Sequence, residues 1–324
     1  MRRLTRTTLG VGAFTLILAL GASGHPAGQR PSVAIFYYPW YSTPKADGHW
    51  QHWNQNGARP PAKIASAFYP VRGAYSSTDA RVLRDQMREI AAAGVDTLVA
   101  SWWGPGSVEA LRLPAVTAAA KTAGLNVAVH LEPWGGRTAA TTRTAIDQLH
   151  AQGVDEFYVY DSTTIPDTDW ATALADLPGH VHVYANTWLA GKAAAGGFQG
   201  LYPYDVVVYP SSSFRRVCTA AHKLFLACIP SVGPGFDSRR ATGLTTVISR
   251  RNGGRYDAMW QAASTAGADV ISITSYNEWL EGTQIEPARR TKGYLAYDGA
   301  WGQQGGPAEQ AYLARTRYWV DRLR

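Results

Sequence analysis

Residues 269–287 read Asp269-Val270-Ile271-Ser272-Ile273-Thr274-Ser275-Tyr276-Asn277-Glu278-Trp279-Leu280-Glu281-Gly282-Thr283-Gln284-Ile285-Glu286-Pro287. An apolar, β-branched run of strand length leads straight into two carboxylates, Glu278 and Glu281. An aromatic sits between them and a Gly-Thr turn follows. Paired acids and aromatics at the C-terminal end of a strand mark the active face of a barrel enzyme, and they suit cleavage of a glycosidic bond.

Upstream of this segment the same unit recurs. Strand-like runs fall at Val33–Tyr38, Thr97–Trp102, Asn126–Leu131, Glu156–Tyr160, His180–Ala185, Tyr204–Tyr209 and Leu224–Pro230, with Asp269–Ser275 as the eighth. Helix-like stretches lie between them at Thr78–Ala93, Ser107–Ala123, Thr138–Ala151, Thr168–Leu177, Phe214–His222 and Tyr256–Ala266. Gly94, Gly124, Gly153 and Gly267 stand just past helical patterns, where a left-handed C-cap is wanted. The fifth unit, Leu189–Gly200, is weak because glycine crowds it. Strand then helix, repeated about eight times, predicts an α/β fold: a (β/α)8 TIM barrel in one domain, residues 29–324, with extended βα loops at the catalytic face. A doubly wound sheet would carry a Gly-rich phosphate loop after its first strand, and none is present. The longest irregular piece, Ser42–Tyr75, becomes a long first loop at that face.

Hydrophobic residues make up 46% and charged residues 17%, enough for a sizeable core and too little charge for disorder. Twelve Trp and 17 Tyr stand against 8 Phe; Trp and Tyr offer sugar rings a flat apolar face with a polar handle. Residues 1–28 read as a signal peptide and short leader: Arg2, Arg3 and Arg6 precede the apolar run Leu9–Leu20, and small residues follow. That predicts a secreted protein with no membrane span in its mature form, an uncleaved N-terminal anchor being the alternative. Without the three leader arginines the net charge falls from +7 to +4 and is scattered, so nucleic acid is not expected as a partner. Cys218 and Cys228 either pair or remain buried thiols; both fates are open.

Polar and aromatic side chains collect at the strand ends: Tyr37-Tyr38-Pro39-Trp40-Tyr41, Trp102-Trp103, His130-Leu131-Glu132, Tyr160-Asp161, Asn186-Thr187-Trp188 and Asn277-Glu278-Trp279. Glu278 and Glu281, three apart on a turn, can face one cavity as the catalytic pair. In the competing reading Glu281 caps the following turn and Glu286 is a surface acid. Glu132 suits a sugar hydroxyl; Asp161 does that or caps a helix. His49, His52 and His130 form no metal cluster, and there is no serine-hydrolase elbow or P-loop. No cofactor and no metal are expected.

The ordered segments Phe36-Tyr37-Tyr38-Pro39-Trp40-Tyr41, His52-Trp53-Asn54, Tyr75-Ser76-Ser77, Ser101-Trp102-Trp103-Gly104-Pro105-Gly106, His130-Leu131-Glu132-Pro133, Tyr158-Val159-Tyr160-Asp161-Ser162, Pro230-Ser231-Val232-Gly233-Pro234-Gly235 and Ser272–Glu286 carry a resemblance. The chain resembles glycoside hydrolase family 99, the endo-α-1,2-mannosidases and mannanases, from Phe36 to about Trp319. The resemblance implies a retaining endo-hydrolase in which Glu278 deprotonates the substrate's own 2-hydroxyl. That oxygen attacks the anomeric carbon and gives a 1,2-anhydro sugar, while Glu281 acts as general acid and later as base. It also implies sugar binding by Tyr41, Trp53, Glu132, Tyr160 and Asn277, with Tyr202 or Tyr204 and Arg240 beside the same cavity. Trp103 falls where mannan-cutting bacterial members carry Trp and animal Golgi members carry Tyr, which favours mannose in the −2 subsite. Tyr276, Pro287 and the segment Gly191–Gly200 depart from the family pattern. The expected substrate is an α-mannan or mannose-rich oligosaccharide, and the expected state a monomer. The alternatives are a non-hydrolytic glycan-binding or biosynthesis-associated protein on the same barrel, or a hydrolase of another α-glycan.

Overall fold

Strand and helix alternate around a single ring in the computed structural model, which describes residues 30–323. The strands are β1 (Ser32–Tyr37), β2 (Thr97–Trp102), β3 (Asn126–Leu131), β4 (Glu156–Val159), β5 (His182–Ala185), β6 (Gly200–Leu201), β7 (Ala227–Cys228), β8 (Ser231–Val232) and β11 (Val270–Ile273). All pair in parallel, in the order β7-β6-β5-β4-β3-β2-β1-β11-β8. The two ends of that order are one stretch of chain, because only Ile229 and Pro230 separate β7 from β8. Ile229 N donates to Leu201 O at 2.9 Å, and Pro230 O accepts from Ser272 N at 3.0 Å. The stretch therefore bonds to β6 on one side and to β11 on the other, and the sheet closes into an eight-stranded barrel. The predicted signal peptide lies outside the described residues.

Helices α2 (Ala80–Ala92), α3 (Val108–Thr122), α4 (Ala139–His150), α5 (Asp167–Leu174), α6 (Ala190–Ala195), α7 (Phe214–His222) and α9 (Gly254–Ser264) ring the barrel. Their starts follow ordinary capping chemistry: Asp79 accepts from Arg81 N and Val82 N, Ser107 from Ala110 N, and Thr138 from Thr141 N. The glycines read as C-caps at 94, 124, 153 and 267 all have φ between +77° and +86°. β2 is buried along its whole length, as a parallel strand between a filled interior and a helical layer must be. Cys218 of α7 and Cys228 of β7 are joined as a disulfide.

One strand is corrected. Tyr204–Tyr209, expected as the sixth, is a turn in which Tyr209 N donates to Asp205 O, and the sixth strand is Gly200–Leu201 inside the glycine-rich segment. A Cβ at Gly200 would lie 2.7 Å from Ala227 O and 2.9 Å from the Tyr184 ring. The barrel is so tight here that only glycine fits, and strand propensity scores glycine against a strand.

The first loop holds a short helix, α1 (Pro44–Asp47), and a 3-10 turn at Gln55–Gly57. Buried Arg112 of α3 ties it down, donating to Pro39 O, Tyr41 O, Ser42 Oγ and Asp47 Oδ1. After β8 the chain forms a small antiparallel hairpin, β9 (Phe236–Asp237) and β10 (Val247–Ile248), with α8 (Arg239–Thr242) between them. Helices α10 (Gly305–Glu309) and α11 (Ala311–Leu323) close the chain. No helix among the described residues is long and apolar enough to cross a membrane.

Candidate active site

The loop after β11 carries both acids and is closed at its neck. Ser275 N donates to Thr283 O, Ile285 N to Ser275 O and Glu286 N to Tyr276 O. Inside the neck, Ser275 Oγ accepts from Glu278 N at 2.8 Å. The hairpin supports the far side, with Asp237 N donating to Glu281 O at 2.7 Å. Arg250 adds bonds to Gly282 O at 2.9 Å and Gln284 O at 2.7 Å, its guanidinium packed over Phe68, Tyr297 and Tyr312. Gly282 has φ +65°, and a Cβ there would meet Asp237 N and O at 3.0 Å. The Gly-Thr turn of the sequence is thus the point where the hairpin presses on the acid loop.

Glu286 is not a surface acid. It is fully buried and accepts from Arg72 Nη1 at 3.1 Å, Gln86 Nε2 at 2.9 Å, Tyr75 O–H at 2.7 Å and Trp279 Nε1 at 2.7 Å. Four donors satisfy the carboxylate, and its task is to hold the loop.

Glu278 is buried, and its Oε1 accepts from Leu280 N at 2.9 Å and, more weakly, Glu281 N at 3.4 Å. Glu281 is partly exposed and lines a cavity of about 280 Å³ with Tyr160, Tyr204, Asp205, Phe236 and Thr274. Burial pushes both carboxyls up. For Glu278 the neighbouring Glu281 adds to the rise, while the Leu280 and Glu281 N–H groups pull it back. For Glu281 burial is followed by Asp205 and Glu132, and its pKa is pushed up to about 7. Two acids this close do not both ionise readily, so the pair keeps a proton near neutrality. Backbone donors on Oε1 offset part of the rise at Glu278.

Phe36 forms the floor, with His130 at 4.7 Å and Tyr204 at 4.8 Å between ring centres. Glu132, at the end of β3, is buried and accepts from Ser101 Oγ at 2.9 Å. His130 Nδ1 lies 3.0 Å from its Oε1, off the hydrogen-bonding direction, while His130 Nε2 pairs with Tyr202 O–H at 3.0 Å. The Tyr38 and Tyr204 hydroxyls are hydrogen-bonded to each other.

The residues expected to bind sugar therefore separate. Tyr160 and Tyr204 line the cavity with Glu281, and Glu132 is near enough to raise its pKa. Trp103 is 37% exposed just beyond β2, free to offer a face. Tyr41, Trp53, Tyr202 and Asn277 are fully buried. Tyr41 bonds to Asn277 O and Trp279 N, and Trp53 stacks on it at 4.2 Å. Asn277 spends its amide on the Tyr38 backbone, accepting at 2.8 Å and donating at 3.0 Å, which locks the end of β1 to the acid loop. In this geometry these four hold the wall. Arg240 sits over the Tyr294 ring at 4.2 Å and lines a separate cavity of about 410 Å³ with Asp237 and Arg239. Asp205 was not anticipated: it lies in the run misread as a strand, although the Tyr204-Asp205 pair is itself an aromatic-acid signal.

A closed parallel barrel with two carboxyls of raised pKa beside an aromatic-lined cavity at its C-terminal face defines a glycoside hydrolase. The sequence profile of Glycosyl hydrolase family 99 matches residues 30–324, and the chain belongs to that family. It is 31% identical to a human glycoprotein endo-α-1,2-mannosidase-like protein, over 88% of this chain and 74% of the relative. It is 30% identical to the mouse glycoprotein endo-α-1,2-mannosidase, over 98% of this chain and 81% of that one. The structure of the family 99 endo-α-mannosidase from Bacteroides thetaiotaomicron superimposes with a TM-score of 0.81 at 30% identity, covering 90% of this chain and 97% of that one.

Proposed function

We propose that this enzyme is a secreted, monomeric, retaining endo-α-1,2-mannosidase that cuts internal bonds of α-mannans or mannose-rich glycans. One observation carries the mechanism: Glu281 lines the cavity with its carboxyl pushed up to about 7, three residues along the same loop from buried Glu278, which takes backbone donors on Oε1. Glu278 takes the proton from the sugar's 2-hydroxyl as that oxygen attacks the anomeric carbon. Glu281 gives its proton to the departing oxygen, the glycosidic bond breaks and a 1,2-anhydro sugar forms. Water then enters with Glu281 as base, the epoxide C–O bond opens, and Glu278 returns its proton to O2. Two inversions leave the anomeric configuration retained. The nucleophile, O2, is already held on the carbon next to the reacting one, so no protein nucleophile is required. Tyr160, Tyr204 and Glu132 fit the −1 sugar, and the exposed face of Trp103 fits the next ring. The mannosidase names of the relatives support the substrate class.

Incubation with α-1,2-linked mannan tests the reading. Short oligosaccharides are expected, with the α anomer first by proton NMR. Release of monosaccharide alone, or of the β anomer first, overturns it.

A further inference from the structure

At the opposite end of the barrel, His150, Asp155 and His180 bring one ligating atom each to within 4.8 Å of one another. His150 is the last residue of α4, Asp155 directly precedes β4, and His180 stands two residues before β5. Three features make this more than chance proximity on a surface. His150 Nδ1 and Asp155 Oδ1 are in contact at 2.7 Å. The His150 and His180 rings sit with centres 5.1 Å apart at 53°, close but not stacked. The turns that present them are fixed: Gly153 N donates to His150 O, Val181 N to Pro178 O, and His182 N to Asp155 O at 2.8 Å. That last bond holds the two turns side by side.

We propose that His150, Asp155 and His180 form a surface binding site for a divalent ion of the zinc class. Two imidazole nitrogens and one carboxylate oxygen match zinc, nickel or cobalt and are a poor set for magnesium or calcium, which want oxygen alone. Bonds of about 2.1 Å to each ligand need ligand atoms about 3.4 Å apart. His180 is exposed and must draw in from the present separation of up to 4.8 Å, and the ion replaces the hydrogen between His150 Nδ1 and Asp155 Oδ1. His182 stays outside the triangle, its ring parallel to Tyr184. Three protein ligands leave a position for water. The site lies at the N-terminal end of the strands, away from Glu278 and Glu281, where residues serve stability. Its effect is to clamp the α4–β4 turn to the α5–β5 turn. Sequence spacing concealed it, because His180 lies far along the chain from the other two.

Tag-free, chelator-stripped protein titrated calorimetrically with ZnCl2 and, separately, MgCl2 tests the site. One zinc ion per chain is expected, with no magnesium signal and a rise in Tm on zinc addition. His180→Ala and Asp155→Asn should each weaken zinc binding at least about tenfold, since loss of a group that only supports a ligand already costs that much. His222→Ala is the control: His222 Nε2 meets Asp269 Oδ2 at 2.9 Å, but the pair belongs to no such cluster among the described residues. Unchanged binding in both ligand variants, folded by circular dichroism, places the ion elsewhere and overturns the proposal. So does absence of binding at millimolar zinc.

Discussion

Trp279 Nε1 donates to Glu286 Oε2 at 2.7 Å, joining the two arms of the loop that carries Glu278 and Glu281. Removing the Glu286 carboxylate strands Arg72, Gln86, Tyr75 and Trp279 in the interior. Glu286→Ala should cost about 3–5 kcal/mol in urea unfolding, the usual result of breaking a buried pair. Arg72 keeps Glu89 at 2.5 Å, which places the expectation at the lower end. Activity should fall as well, although Glu286 never meets substrate.

The raised Glu281 pKa sets the pH profile. As general acid it must be protonated, so kcat/KM should fall as pH rises through about 7. Glu281→Gln should lose about 10²–10⁴-fold in kcat/KM on substrates with poor leaving groups and abolish that alkaline limb.

The same shift has a stability sign. Between about 4.5 and about 7 the folded chain holds a proton that the unfolded chain has released. Stability from this group therefore falls as pH rises through that window, and the cost is complete above it. Glu281→Gln removes the cost. The variant should match the parent near pH 4 and exceed it by roughly 1–3 kcal/mol near pH 8, read from thermal unfolding.

Tyr38 and Tyr204 are both buried, and each supplies the other's hydroxyl partner. Tyr204→Phe leaves the Tyr38 hydroxyl dry and unpaired, a loss of about 1–3 kcal/mol. The double change to Phe removes both polar groups, so it should cost less than the sum of the two single changes. A urea-unfolding double-mutant cycle reads this directly.

Cys218 and Cys228 close a short loop between α7 and β7, and both are fully buried. Replacing both with Ser should lower stability by about 3 kcal/mol on the chain-entropy account. Thiol reductant should leave the native protein unchanged and act only once denaturant opens the chain.

Much of this was legible beforehand. Thr97–Trp102 and Asn126–Leu131 are strands with the bounds expected, because β-branched runs between capped helices admit little else. β6 was hidden because ring closure, a long-range constraint, demands glycine where local propensity wants bulk. The acid loop was legible from its order along the chain. The roles of the aromatics and amides around it were not: Tyr204 faces the cavity while Tyr202, two residues earlier, bonds to His130 beneath it. Alternation along an irregular segment cannot say which faces where. A surface position for Glu286 stayed open as the competing reading because its four donors come from distant parts of the sequence or from a tryptophan side chain.

The barrel closes through β8 and β11, which share only the pairs Ser231–Ser272 and Ile273–Val232, against six between β2 and β3. The loop bearing both acids springs from this short join. Small, local openings are expected at this join, as at the equally short joins of β6 to β5 and β7, so the amides of Ser272 and Thr274 should exchange with deuterium ahead of those in β2 and β3. Mild denaturant will silence such an enzyme while most of its ring is still folded, and dilution will revive it without a full refolding cycle.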